Sequence, residues 1–206
     1  HILGSAIIEI DVGERASLRR LVASGDLGQP MRPVLQDPVR IARADYLCIE
    51  STYGNRAHRS FAATCDELAE VLRRTLKVDG GNVIIPAFAV GRTQELLFVL
   101  AELVRAGRID RLDVVVDSPM ASAVTALTVR HADLWDDETR ELYAWTQVNT
   151  DRFRLRFVQD VEESMALNEV RGGLVVISAS GMCDAGRIKH HLRHNLGRRE
   201  CAVVIA

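Results

Sequence analysis

The feature that most constrains the fold is a regular alternation of apolar runs and amphipathic segments after Asn55. The amphipathic segments carry apolar residues at helical spacing, and roughly ten or more residues separate one apolar run from the next. Strands that alternate with helices of this length are typical of a parallel sheet covered by helices on both faces. We therefore predict an α/β fold with right-handed crossovers, whose five strands are residues 82–88, 113–117, 153–158, 174–178 and 201–206.

The first amphipathic segment illustrates the helical pattern. Ser60 is a suitable N-cap, and the segment ends at the Gly80-Gly81 pair. Between these limits the apolar residues fall on one helical face, namely Phe61, Cys65, Leu68, Leu72 and Leu76. Further helices are predicted over residues 92–106, 119–130, 136–145, 161–170 and 184–195.

The residues before Asn55 follow a different and mostly β pattern. Residues 6–12 and 20–24 are predicted strands of a hairpin, and the polar, proline-containing stretch 28–38 predicts a surface loop. Residues 45–49 predict a short buried strand that leads to Glu50. We therefore predict two units, residues 1–55 and residues 56–206.

Composition limits the kinds of site that the chain can carry. A chain of 206 residues that is 48% apolar can bury roughly 70% of its surface. Its net charge of -2 excludes a globally cationic nucleic-acid binder, so any site for a polyanion must be local. Four cysteines without a Cys-x-x-Cys pair predict reduced, mostly buried thiols and a cytoplasmic location. The sequence also predicts no membrane span and, because glycine-rich phosphate-binding motifs are absent, no nucleotide cofactor.

Three separated residues, His1, Asp26 and Glu50, carry the chemistry of a metal-dependent hydrolase. Each lies next to an apolar run, where a strand would give way to a loop. An imidazole and a carboxylate can ligate zinc, and a second carboxylate can orient a proton-transfer group. Taken singly, His1 is a terminal residue, Asp26 is a turn aspartate and Glu50 is a carboxylate at a helix start. Their interpretation therefore depends on the motifs around them.

Those motifs run in one order along the whole chain. They are HILGSA at residues 1–6, SGD at 24–26, ESTYG at 50–54, PAFAVGRTQEL at 86–96, DSPMA at 117–121, SASGM at 178–182, and the pairs Gly186-Arg187 and His190-His191. Together they resemble the β-CASP branch of the metallo-β-lactamase superfamily, which includes the mRNA 3′-end cleavage subunit and RNA-processing relatives from bacteria and archaea.

This resemblance implies a domain organisation. Residues 1–55 would be the C-terminal part of the first metallo-β-lactamase segment, which belongs to an αββα domain. Residues 56–206 would be a β-CASP domain without its last elements, with a mainly parallel sheet flanked by helices. The chain begins inside a motif and stops on an apolar strand, so we interpret it as a fragment.

The resemblance also implies roles for the three residues. His1 matches a metal-ligating histidine, and Asp26 matches the aspartate that bridges two zinc ions around a hydroxide nucleophile. Glu50 matches the acidic residue that supports a proton-donating histidine, which lies in a motif beyond this chain. The expected catalytic residues are therefore Asp26 and Glu50, and the expected metal ligands are His1 and Asp26. Because two ligands cannot hold two zinc ions, we expect the 206-residue chain alone to be inactive.

Candidates for RNA or phosphate contacts follow residue 56. Three serines lie where a buried strand ends, a place where ligands dock in open α/β sheets, although helix capping explains them equally well. An arginine in a first helical turn opposes the helix dipole, so it needs a partner such as a phosphate or the acidic loop near Glu50. The most basic stretch, residues 187–199, is a further candidate edge. The candidates are Arg92, Ser118, Ser178, Ser180, Arg187 and His190.

The function that the resemblance implies is a zinc-dependent ribonuclease that acts on single-stranded RNA in RNA processing or decay. Glu50 favours RNA over DNA as the substrate, because the signature of the DNA-repair relatives tends to begin with aspartate. A DNA nuclease and a scaffold subunit without catalytic activity are the alternatives. Relatives often dimerise, so a homodimer is included among the expected partners. The sequence leaves open whether cutting is endonucleolytic or proceeds from the 5′ end.

Overall fold

Two separate β-sheets organise the chain, one before residue 55 and one after it. The computed structural model describes residues 2–14, 17–55 and 59–205. The small sheet contains β1 (Ile8–Val12), β2 (Arg19–Ala23) and β3 (Tyr46–Cys48), in the order β1-β2-β3. The pair β1 and β2 is antiparallel, which confirms the predicted hairpin, and β3 runs parallel to β2.

The third strand of the small sheet departs from the prediction. Residues 45–49 were expected to form a buried strand, but Tyr46 is 63% exposed and Leu47 is 57% exposed. On β1, Ile8, Ile10 and Val12 are exposed as well. The apolar composition of residues 45–49 predicted burial, whereas in the described ranges the side chains of Tyr46 and Leu47 are open to solvent. The prediction of a buried β3 is therefore wrong for this chain.

The large sheet has five parallel strands, as the alternating pattern predicted. They are β4 (Val83–Pro86), β5 (Leu112–Val116), β6 (Phe153–Phe157), β7 (Leu174–Ser178) and β8 (Ala202–Val203), in the order β6-β5-β7-β4-β8. The helices are α1 (Phe61–Arg73), α2 (Arg92–Arg105), α3 (Pro119–Arg130), α4 (Asp137–Val148), α5 (Val161–Ala166) and α6 (Ile188–Asn195). Shorter segments are a π-helix over Arg74–Asp79 and 3₁₀ turns over Ala132–Leu134 and Leu167–Glu169.

Helices cover both faces of the large sheet. On β4, Val83 and Ile85 pack into a core with α1, α2, α3 and α4, whereas Ile84 packs into a second core with α6 and the turn that follows α5. Successive residues of a strand point to opposite faces, so a continuous apolar run is what a strand between two cores requires. This arrangement confirms the α/β fold and its two covered faces.

The limits of the first helical region agree with the prediction, whereas α4 ends at Val148 and not at Trp145, and the helix predicted over residues 161–170 becomes a 3₁₀ turn after Ala166. The Ser60 hydroxyl accepts from the Ala63 N–H at 3.2 Å and caps α1, and Gly80 ends the π-helical segment in a left-handed conformation. The last helix was predicted over residues 184–195 but begins at Ile188. Residues 184–186 form a turn instead, in which the Asp184 carboxylate accepts from the Ser180 hydroxyl at 2.6 Å.

The loop over residues 28–38 joins the two parts of the chain. The Val34 N–H donates to the Thr139 hydroxyl of α4 at 3.0 Å, and Leu35 forms an isolated antiparallel bridge with Trp135. This loop was predicted to lie on the surface, and its backbone docks on the start of α4.

The state of the cysteines and the lack of a membrane span were both predicted from the sequence. The four cysteines are free thiols as expected, but Cys48 is exposed and the other three are partly exposed, so the expectation of mostly buried thiols is wrong. In the ranges that the structure covers, no helix is long and apolar enough to cross a membrane.

Candidate functional site

The two predicted catalytic residues lie at one edge of the small sheet. Asp26 follows the end of β2, and Glu50 follows the end of β3. Because β3 is parallel to β2 and β1 is antiparallel to β2, the ends of β2 and β3 meet the start of β1 at this edge. The backbone bonds agree, since the Ser24 N–H donates to the Cys48 carbonyl at 2.9 Å. The topology thus brings the Asp26 turn and Glu50 together.

Glu50 is fixed by hydrogen bonds from both loops. Its N–H donates to the Ser24 hydroxyl at 3.1 Å, and its carboxylate accepts from the Thr52 N–H at 2.9 Å. The Thr52 N–H, with smaller contributions from the Thr52 side chain and the Leu27 N–H, lowers the pKa of the Glu50 carboxyl below its ordinary value. The carboxylate is therefore ionised at neutral pH and can accept a hydrogen bond from a neighbouring group.

Asp26 is exposed, and its carboxylate oxygens can ligate a metal ion. Gly25 before it has φ +56, and a Cβ there would lie 2.7 Å from the Ala6 carbonyl oxygen, so glycine lets the segment before β1 pass close to this turn. None of the described residues hydrogen-bonds to the Asp26 carboxylate, which is a ligand type that zinc accepts. His1, the other predicted ligand, lies outside the described residues, and the described residues contain no cluster of three or more metal-ligating side chains.

A second polar site lies at the carboxyl end of β5, around the fully buried Asp117. Its carboxylate accepts from Arg187 at 2.7 Å and from Ser164 at 2.6 Å, and it lies 2.6 Å from His191 Nε2. The backbone oxygen of Asp117 accepts from the Ser178 hydroxyl at 2.8 Å. We call Asp117, Ser164, Arg187 and His191 the Asp117 network.

The network keeps a buried carboxylate charged. Burial raises the pKa of Asp117, but the hydrogen bonds from His191, Ser164 and Arg187 outweigh it and hold the pKa below its ordinary value. The Arg187 guanidinium also donates to the carbonyl oxygens of Val158 and Gln159, at 3.3 and 2.5 Å. The network therefore joins α5, α6 and the ends of β5 and β6, and the predicted phosphate contact Arg187 is already engaged within the protein.

The three candidate serines have different surroundings. Ser118 is 6% exposed and caps α3 by accepting from the Ala121 N–H at 3.2 Å, while Ser178 is 1% exposed and donates to the Asp117 backbone. A helix cap and a hydrogen bond to a backbone carbonyl thus engage these two hydroxyls. Ser180 is partly exposed and bonds to Asp184, so of the three it is the one that a phosphate can approach.

Arg92 and His190 lie on two different helices. The Arg92 guanidinium pairs with Glu95 at 2.6 Å, one turn further along α2, so the specific partner expected for this arginine is an internal carboxylate. His190 is exposed on α6. It lines an open depression of about 600 Å³ together with Asp184, Ala185, Gly186, Arg187, Lys189 and Arg193.

The edge of the small sheet meets the carboxyl edge of the large sheet. A Cβ added to Gly91, which immediately precedes α2, would lie 2.5 Å from the Ile2 side chain, so the segment that follows His1 lies against this turn. Arg32 pairs with Glu95 at 3.2 Å and lies 5.1 Å above the Phe61 ring. The Asp26 and Glu50 edge and the ends of the central parallel strands are therefore parts of one continuous region.

With this geometry in view, a family model described as the Beta-Casp domain matches residues 93–206. The chain belongs to the β-CASP family of the metallo-β-lactamase superfamily. It is 40% identical over 204 residues to a protein of Thermus thermophilus named as a ribonuclease, covering 99% of this chain and 46% of that protein. It is 34% identical over 198 residues to the transcription termination factor FttA of a Lokiarchaeum, covering 94% of this chain and 30% of the relative. An RNase J-like protein of Methanocaldococcus jannaschii is 28% identical over 196 residues, covering 94% of this chain and 44% of that protein.

The chain thus spans less than half the length of these β-CASP relatives. The family implies bound metal ions. At the small-sheet edge, the exposed Asp26 carboxylate is of a type that zinc accepts, and a metal ion there would need further ligands.

Asp117 and His191 belong to the β-CASP motifs, but no role was predicted for them from sequence. Two signals pointed to the network. Asp117 is a charged residue at the end of a continuous apolar strand, and Arg187 and His191 are four residues apart, on one helical face. A carboxylate at a buried strand end needs donors, and one helix supplies two of them.

Proposed function

We propose that the protein is a zinc-dependent ribonuclease that hydrolyses phosphodiester bonds of single-stranded RNA. The observation that carries this proposal is the sheet edge at which the Asp26 turn and Glu50 meet, joined by hydrogen bonds through Ser24 and Leu27. Support for the reaction class comes from the relatives, since one is named as a ribonuclease and another as RNase J-like.

The residues at this edge have distinct roles in the proposal. Asp26, together with His1, would hold metal ions. Bound zinc would supply Lewis acidity and an activated water for hydrolysis. Glu50 stays ionised because of its lowered pKa and would orient the group that protonates the leaving oxygen. Two ligands are too few for two zinc ions, so we infer that cleavage requires the rest of the protein.

The experiment uses the full-length protein with matched single-stranded RNA and DNA oligonucleotides in the presence and absence of Zn²⁺. We expect zinc-dependent cleavage of RNA in preference to DNA. Asp26→Asn should reduce the rate by at least about 100-fold and lower the bound zinc measured by elemental analysis. Glu50→Gln should reduce the cleavage rate by about 10- to 100-fold while the zinc content is retained.

Glu138→Gln is the matched control, because Glu138 is an exposed carboxylate on α4 and lies outside the proposed site. If Asp26→Asn cleaved RNA at the wild-type rate, the proposed site would be refuted. If the wild type preferred DNA to RNA, the proposed substrate would be refuted. A full-length protein that binds zinc and RNA but cuts neither nucleic acid would support the scaffold alternative instead.

A further inference from the structure

Phe88 is an exposed aromatic side chain on an otherwise buried segment. It follows β4 at the carboxyl edge of the large sheet, and its side chain is 57% exposed. Its neighbours Ala87 and Ala89 are 1% and 7% exposed. The backbone thus alternates between core and solvent here, and the solvent-facing position carries a phenyl ring. Core packing does not account for this ring.

The loop that carries Phe88 is held rigidly. The Phe88 carbonyl accepts from both the N–H and the hydroxyl of Thr93, at 3.2 and 2.8 Å. The buried Gln94 side chain accepts from the Gly91 N–H at 2.8 Å and donates to the Ala89 carbonyl at 3.3 Å. A ring on a fixed backbone loses little conformational entropy when a ligand packs on it, which favours binding.

Gly181 supports one side of the ring. A Cβ at this position would lie 3.1 Å from Phe88 Cδ2 and 3.2 Å from Cε2, so a larger residue would displace the ring. Gly181 belongs to the loop after β7, which leads directly into the depression beside α6. Phe88 therefore lies next to the loop that borders the depression.

The depression carries positive charge. Lys189 and Arg193 line it and are four residues apart, so they lie on one face of α6, with His190 beside them. Asp184 also lines the depression and accepts a hydrogen bond from the Ser180 hydroxyl, and its single negative charge is outnumbered by the two positive charges of Lys189 and Arg193. A basic groove beside an aromatic ring is how proteins bind single-stranded nucleic acid, with phosphates in the groove and a base stacked on the ring.

We propose that Phe88 stacks on a base of single-stranded RNA whose phosphates lie along Lys189 and Arg193. This inference rests on the ribonuclease function proposed above. On its other side, the Phe88 loop reaches Gly91, which contacts Ile2 at the edge that carries Asp26. The bound strand would therefore run from the α6 depression across Phe88 towards the edge of the small sheet that carries Asp26 and Glu50. Stacking is tolerant of sequence, so Phe88 sets the register of the strand rather than a base preference.

The first test measures binding of a fluorescent oligoribonucleotide to the full-length protein by anisotropy, in excess chelator with the RNA checked for integrity. Phe88→Ala should weaken binding by about tenfold or more, and Phe88→Trp should stay within about threefold of wild type. Val78→Ala is the matched control, since Val78 is 79% exposed and precedes β4, at the opposite edge of the sheet.

A single abasic site moved along the oligonucleotide identifies the stacked base. For the wild type, an abasic site at one position should lower the affinity for the oligonucleotide by about tenfold. For Phe88→Ala, the same abasic site should leave the affinity unchanged. Phe88→Ala should leave the salt dependence of binding unchanged. The Lys189→Gln, Arg193→Gln double variant should reduce the slope of log affinity against log salt by about 0.7 per residue.

The outcomes separate this inference from the ribonuclease proposal. If the folded wild type binds no RNA, both proposals fail. If the wild type binds and cleaves RNA but Phe88→Ala, with an unchanged circular dichroism spectrum, binds equally well, then stacking on Phe88 is refuted and the ribonuclease function stands. Loss of affinity at the same abasic position in wild type and Phe88→Ala would refute stacking as well.

Discussion

Replacing Asp117 with asparagine tests whether the Asp117 network holds the large sheet to α6. The carboxylate is fully buried and serves Ser164, Arg187 and His191 at once. Asparagine keeps the size of the side chain but removes the charge and one of the two acceptor oxygens. The Arg187 guanidinium would then lose its counter-ion in a largely buried position.

The structure sets the size of the expected effect. Removing one partner of a buried ion pair costs about 3–5 kcal/mol. The Arg187 side chain is 21% exposed and keeps its bonds to two backbone carbonyls, so we expect a loss near the lower limit, about 3 kcal/mol. With a urea m-value of about 2–3 kcal/mol per molar, the midpoint of unfolding should fall by about 1–1.5 M.

Urea unfolding at neutral pH, followed by circular dichroism, measures this shift. Glu70→Gln is the matched control, because Glu70 pairs with Arg73 on the exposed face of α1 and its loss should change the free energy of unfolding by less than about 0.5 kcal/mol. Ser164→Ala removes one hydrogen bond and should fall between the two, at about 1–2 kcal/mol. Equal midpoints for Asp117→Asn and Glu70→Gln would refute the reasoning.

Two further predictions concern acid stability and close backbone contacts. Because the folded pKa of Asp117 is lowered from 3.8, its contribution is present above that value and lost as pH falls through the folded pKa; the wild type should therefore approach Asp117→Asn in stability below about pH 4. A constant gap between their urea midpoints down to the lowest pH at which both fold would contradict this. A Cβ on Gly172 would lie 1.9 Å from the Gly80 carbonyl oxygen, whereas one on Gly197 meets open space. Gly172→Ala should lower the melting temperature by several degrees or prevent folding, Gly197→Ala should change it little, and similar melting temperatures would refute the clash.

The fold was predictable where the signals are local. Ser60 and Gly80 mark the ends of the first helical region in sequence and in structure, and apolar strands between helices predicted the parallel sheet. The exposure of β3 was not predictable in this way, because the burial of a strand depends on what packs over it. Tyr46 lies in a short apolar run of the kind that is often buried, yet its side chain is exposed among the described residues.

In the candidate site, too, the local features were predictable from sequence and the long-range contacts were not. The sequence placed Asp26 and Glu50 at strand ends, and the strand order of the small sheet then brings their loops together. The Asp117 network was not assembled from sequence because its partners are distant, with Arg187 70 residues and His191 74 residues along the chain. Their contact depends on β5 lying beside β7, which follows from the sheet order and not from any local pattern.

For Arg92, the sequence predicted that the guanidinium has a specific partner but did not identify that partner. An arginine in a first helical turn opposes the helix dipole, so a specific partner was required. The structure supplies Glu95, which lies 2.6 Å from Arg92 and 3.2 Å from Arg32. One carboxylate between two guanidinium groups leaves a net positive charge at the start of α2. Arg92 directly follows Gly91, which contacts Ile2. In the proposed path, an RNA phosphate that passes Phe88 towards the Asp26 edge would therefore meet this positive charge without displacing Glu95.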